Sequence, residues 1–150
     1  MKSPDRAASV AAEWMVKAEN DLLNAAHTLL LGRRCPADTV CFHAQQCAEK
    51  YLKALLTSRG TDFAKTHDLE AIAARIRNGH RPALAPEDLA RLTRYATATR
   101  YPGAELISLG EARKAVAAAR RIRRAVRKVL PRTLLRGAGG VARQTTSMKE

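Results

Sequence analysis

The chain has 150 residues and a mass of 16.4 kDa, which is the size of one domain, with 46% hydrophobic and 27% charged residues. That balance excludes a wholly disordered chain, a collagen-like repeat and a small scaffold held by disulfides. The net charge of +13 is concentrated: residues 111–150 hold 12 basic and 2 acidic side chains (+10), leaving +3 for residues 1–110, so anionic partners are to be sought at the C-terminal quarter.

Aromatic residues make up only 4%, so the core must be built from Leu, Ala, Val and Ile, a set that favours helices. Met1 to Val10 lacks an apolar run of signal-peptide length. No stretch approaches the roughly eighteen apolar residues that span a bilayer, so no membrane association is expected. Cys35, Cys41 and Cys47 lack the close C-x2-C spacing of zinc sites, which points to free thiols, a cytoplasmic location and no metal or cofactor.

Residues 1–8 read as a flexible N-terminus. The first predicted helix covers about Ser9 to Leu31, with Trp14, Ala18, Leu22, Ala25 and Leu29 on one face and Gly32 as its stop. The second covers Pro36 to Ser58, with Pro36 in its first turn and Gly60 beyond its end. Val40, Ala44, Cys47, Ala48, Tyr51 and Leu55 make its inner face, and Gln46, Glu49, Lys50, Lys53 and Thr57 its polar one. Phe42 lies among the polar residues, so either a second subunit or a neighbouring segment should cover it.

Thr66 and Asp68 read as the capped start of a short third helix with Leu69, Ile72, Ala73 and Ile76 inward, ending at Asn78-Gly79. A fourth follows Pro86, with Glu87 and Asp88 in its first turn, Leu89, Leu92 and Ala96 inward, and a break at Arg100-Tyr101-Pro102-Gly103. Ser108 and Glu111 fit a capping box ahead of a fifth helix that runs to Leu130. Ala112, Ala115, Ala119, Ile122, Val126 and Val129 form one of its faces; Arg113, Arg120, Arg124, Arg127 and Lys128 form the other. Residues 9–130 thus read as one all-α, antiparallel up-and-down bundle of about five helices, and 131–150 as a basic disordered tail.

There is no P-loop, no H-E-x-x-H pair and no serine nucleophile elbow. The stretch Gln45-Gln46-Cys47-Ala48-Glu49-Lys50-Tyr51-Leu52-Lys53 is followed by Lys65-Thr66-His67-Asp68-Leu69 and then Arg100-Tyr101-Pro102. With the opening Trp14, Ala18, Asp21-Leu22 and Ala25, this order and spacing resemble the HEPN family over roughly Trp14 to Leu130.

The resemblance implies a compact helical bundle, commonly a homodimer. It also implies a partner: such proteins are often encoded beside a minimal nucleotidyltransferase in toxin–antitoxin-type pairs. Some members are metal-independent endoribonucleases, and others bind nucleotides or RNA without cutting. The cutting members carry Arg, four to six residues, then His; the histidine moves a proton at the ribose 2′-OH while the arginine stabilises the scissile phosphate. Here Arg59 and His67 have seven residues between them. Arg75 and His80 have four, but the helix should end before His80.

His67, Arg75 and His80 are therefore the weak catalytic candidates, and nucleotide or RNA binding without cleavage is the leading expectation. The alternatives are an endoribonuclease toxin and a non-catalytic protein-interaction adapter. His67 either binds phosphate or helps cap the third helix. Lys50 and Lys53 either face a ligand cleft or form a solvated helix face. Arg100 and Tyr101 either offer a guanidinium and a stacking ring to a nucleotide or form a turn. Arg113, Arg120, Arg124 and Arg127 supply a wider anionic-binding surface. His27 and His43 read as structural.

Overall fold

The computed structural model describes residues 3–77, 79–97 and 101–136. Helix α1 (Pro4–Leu29) starts before Ser9: the Ser3 hydroxyl accepts from the Arg6 N–H, Pro4 occupies the first turn and Asp5 sits at the positive end of the dipole. Residues 4–8, expected to be flexible, are therefore helical. Gly32 takes φ +58° in the turn that follows.

Helix α2 (Ala37–Ser58) begins just after Pro36. It closes with Thr61 N–H donating to Leu56 C=O and Gly60 N–H to Thr57 C=O, with Gly60 at φ +66°. Twelve of its 22 residues are buried, and it touches every other helix, which makes it the central rod. Glu49, assigned to the polar face by periodicity, is among the buried ones.

Helices α3 (Leu69–Ala73) and α4 (Pro86–Thr93) are both shorter than the sequence suggests. Past Ala73 the chain tightens into i→i−3 bonds, Arg75 to Ile72 and Ile76 to Ala73, and the tightened turn keeps Ile76 buried. Thr93 ends α4; its hydroxyl donates to Leu89 C=O and accepts from the Leu69 N–H, joining the two short helices. Helix α5 (Leu109–Val129) is capped by Ser108, whose hydroxyl accepts from the Glu111 N–H at 3.0 Å.

The pairs Trp14–Lys53 and Asp21–His43 fix α1 and α2 as antiparallel. Asp88–Arg121 and Tyr95–Glu111 do the same for α4 and α5. The short α3 and α4 together take the chain back between the long rods, so the whole is a helical bundle with no strand among the described residues. Small side chains at the crossings (Ala11, Ala18, Ala25, Ala44, Ala48, Ala115, Ala119) let the rods approach closely, while Met15, Leu52, Leu55, Ile72, Leu92 and Ile122 fill the space between them.

Order continues past Pro131. Residues 132–136 make a further helical turn, and Leu134 is buried against the core. That corrects the expected tail boundary, because Leu134 is an apolar anchor within reach of the bundle. Residues 137–150 lie outside the described residues. Among the described residues no helix is long and apolar enough to cross a membrane.

Candidate functional site

Three buried or half-buried carboxylates, Glu49, Asp21 and Glu19, organise the polar side chains around α2, and a fourth, Asp88, serves α4 and α5. The Glu49 side chain is 4% exposed and accepts from three groups. Lys53 Nζ lies 3.0 Å from one oxygen; His67 Nδ1 at 2.7 Å and Gln45 Nε2 at 3.2 Å share the other. Gln45 also donates to the His67 carbonyl at 3.2 Å. The network ties α2 to the loop that enters α3. Burial opposes ionisation of Glu49, but the bonds from His67, Lys53 and Gln45 outweigh it and hold the carboxyl below its ordinary 4.5.

Lys53 is additionally stacked 5.4 Å from the rings of both Trp14 and Phe63, and its side chain is only 12% exposed. Lys53 and His67 are thus brought together, but around an internal carboxylate. His67 does not cap α3; Asp68 does, accepting from the N–H groups of Glu70 and Ala71.

Asp21 on α1 is the second organiser. It accepts from His43 Nδ1 at 2.8 Å and pairs with Lys50 through its other oxygen. A carboxylate only accepts, so in this contact His43 donates from Nδ1. Glu19 is the third: Arg123 Nε reaches it at 2.6 Å, and the Tyr51 hydroxyl donates to it. Arg127 Nη1 lies 3.3 Å from the Tyr51 hydroxyl. Burial works against the Glu19 charge, yet Arg123, Tyr51 and Arg127 keep its pKa below 4.5. Arg127, expected on the solvent face, is therefore half-buried and committed to the α1–α2–α5 junction.

The remaining cations of α5 differ. Arg113, Lys114, Arg120, Arg124 and Lys128 are exposed, and no hydrogen bond or ion pair engages them among the described residues. Arg121 is held at 2.9 Å through two nitrogens by Asp88 of α4. Arg81, in the loop ahead of α4, faces the C-terminal half of this row. Arg81, Arg121, Arg124 and Lys128 rim a cleft of about 400 Å³ floored by Pro82, Ala83, Ala125 and Val129.

The family comparison matches the HEPN domain across residues 11–129. The chain belongs to the HEPN family. The HEPN fold is shared with TT1696 from Thermus thermophilus, at 29% identity and a TM-score of 0.67 over 80% of this chain and 98% of that one. ST0689, an archaeal HEPN homologue, is 27% identical with a TM-score of 0.61 over 85% and 98% of the two chains. Comparison with curated proteins finds no match.

Within this HEPN bundle the sequence candidates divide. Lys50, Lys53 and His67 serve the α1–α2–α3 framework, and Arg113, Arg120 and Arg124 stand free on α5. Tyr101 is 65% exposed, while Arg100 lies outside the described residues. Arg75 donates to the Asp62 carbonyl at 3.3 Å, and the His80 carbonyl accepts from Arg59 at 2.5 Å; no bond joins Arg75 to His80. Phe42 is half-buried with its ring 5.6 Å from that of His43. Sequence reasoning passed over Arg81; it quoted Asp21 only within the family resemblance and read His43 as structural without naming Asp21 as its partner. Arg81 carried no periodic signal because it sits in a loop. The i, i+7 spacing of His43 and Lys50 was the one hint of a shared carboxylate. Among the described residues no group of three His, Cys, Asp or Glu side chains could hold a metal ion.

Proposed function

We propose that this HEPN protein binds nucleotide or RNA through the cationic face of α5, without cleaving it. In this reading it acts in the cytoplasm as a homodimer, as one component of a toxin–antitoxin-type pair with a minimal nucleotidyltransferase. The observation that carries the binding is the set of exposed α5 cations, Arg113, Lys114, Arg120, Arg124 and Lys128, with no internal carboxylate to neutralise them. Like charges so arrayed repel one another, and an anionic backbone laid along the helix relieves the repulsion. Binding is preferred to cutting because the Arg75 guanidinium is taken up by the Asp62 carbonyl and no bond joins it to His80. The homodimer and the nucleotidyltransferase partner rest on family membership.

The test is the salt dependence of binding to a single-stranded oligoribonucleotide. Affinity should fall with salt by a slope of about 0.7 for each phosphate engaged. The double substitution Arg113→Gln/Arg120→Gln should flatten that slope and leave RNA intact in long incubations. A slope indistinguishable from zero contradicts binding through α5. Cleavage that persists in chelator contradicts the non-cutting assignment.

A further inference from the structure

The segment 81–83 is a divide with a different surface on each side. Toward α5 lies the cationic cleft of about 400 Å³. Toward α3 and α4 lies a second cleft of about 500 Å³, walled mainly by Ala73, Ile76, Leu84, Pro86 and Leu89. Both clefts are lined by Arg81, Pro82 and Ala83, so a molecule seated across this segment meets both. Three of the four cations on the first side, Arg81, Arg124 and Lys128, have no partner among the described residues, and the fourth, Arg121, already neutralises Asp88. Glu70 is the one carboxylate lining the second side.

An inorganic anion would use only the first cleft and an apolar molecule only the second. An amphipathic ligand with a compact polyanionic end and a flat, weakly polar body uses both. We infer that the paired clefts form one site for a nucleoside phosphate, with the phosphate on Arg81, Arg124 and Lys128 and the nucleoside against Ala74, Leu84 and Pro86, apolar lining residues that keep accessible surface. Guanidinium groups hold phosphate oxygens through paired N–H donors, which suits two arginines arriving from different segments. Glu70 accepts from a sugar hydroxyl or a base amine at the rim.

The same chemistry is offered by a free nucleotide and by the 5′-phosphorylated end of an RNA. The inference rests on the reading that α5 cations hold phosphate, but it adds a location and a second half to the site.

The experiment is calorimetric titration of the full chain with AMP, adenosine and inorganic phosphate as separate probes. AMP should bind at least about tenfold more tightly than either fragment. Arg81→Ala and Arg124→Ala should each weaken AMP by roughly tenfold with an unchanged thermal transition, since neither side chain supports the fold. Ala83→Asp, placing a carboxylate between the halves, should do the same. AMP held no more tightly than phosphate, or held equally by Arg81→Ala, overturns the inference.

Oligoribonucleotides with 5′-phosphate and 5′-hydroxyl ends then separate the sources. Preference for the phosphorylated end identifies an RNA terminus; equal binding of the two, with AMP still held, identifies a free nucleotide. RNA bound through Arg113 and Arg120 while AMP is ignored removes the paired-cleft site and leaves α5 binding standing. AMP bound with no salt-sensitive RNA binding does the reverse.

Discussion

Glu49 shows how one side chain can look like surface and act as core. Its periodic position is polar, and only the return of the loop carrying His67 encloses it. Removing it leaves the mostly buried Lys53 ammonium without its carboxylate and Gln45 with the His67 carbonyl alone, so Glu49→Ala should lower unfolding stability by about 3 kcal/mol in denaturant titration. Glu49→Gln, which keeps one acceptor oxygen, should recover part of that. Glu49 and Glu19 both have folded-state pKa values depressed below 4.5. The unfolded chain therefore binds their protons first as pH falls, and their stabilisation is complete above 4.5 and lost below it. The thermal midpoint should accordingly stay level on this account from neutral pH down to about 5 and then drop; a drop that Glu49→Gln leaves unchanged would show that Glu49 is not a source.

The cysteines are a second case at this scale. Burial, with the charges of Glu111 and Asp38, pushes the Cys41 thiol up to about 12. Burial, with Glu19 and Asp21, raises Cys47 as well. Cys35 is only half-buried. A thiol-alkylating reagent at neutral pH should therefore modify Cys35 first, and Cys41 and Cys47 only after denaturation. Equal labelling rates in the folded protein would contradict the packing of α2.

Several helix caps and stops were legible in the sequence because their causes are local, although the Ser3 cap of α1 was not among them. Asp68, Ser108, Gly32 and Gly60 act as signalled, each through its own backbone or its neighbours. Gly60→Ala tests this directly. A Cβ there meets nothing within 4 Å, so only the backbone conformation at φ +66° opposes it. The expected loss is about 1–2 kcal/mol in thermal or chemical unfolding, with no change in the folded structure. Element lengths were less legible. Periodicity in the regions of α3 and α4 continues past Ala73 and Thr93, but Ile76 and Tyr95 reach the core through turns. A repeat of apolar residues does not separate a helix from a tightened loop with the same inward positions. Arg81 was invisible for a related reason: its use depends on where a Pro-containing loop is laid against α5.

Across the whole molecule, charge is sorted by what lies beneath it. Lys50, Lys53, Arg123 and Arg127 are drawn inward by Asp21, Glu49 and Glu19 and brace the bundle. Arg113, Arg120, Arg124 and Lys128 have no such partners among the described residues and remain for something outside. Composition alone located the excess in the C-terminal quarter; it could not say which cations were already committed, since that depends on carboxylates supplied by distant helices. The most direct measurement is an NMR titration of the isotope-labelled chain with a 5′-phosphorylated single-stranded oligoribonucleotide. Shifts should concentrate on the exposed residues of α5 and on the loop around Arg81, and leave Lys50, Lys53 and His67 unmoved. Shifts confined to the Glu49 network, or none at all, would contradict the account.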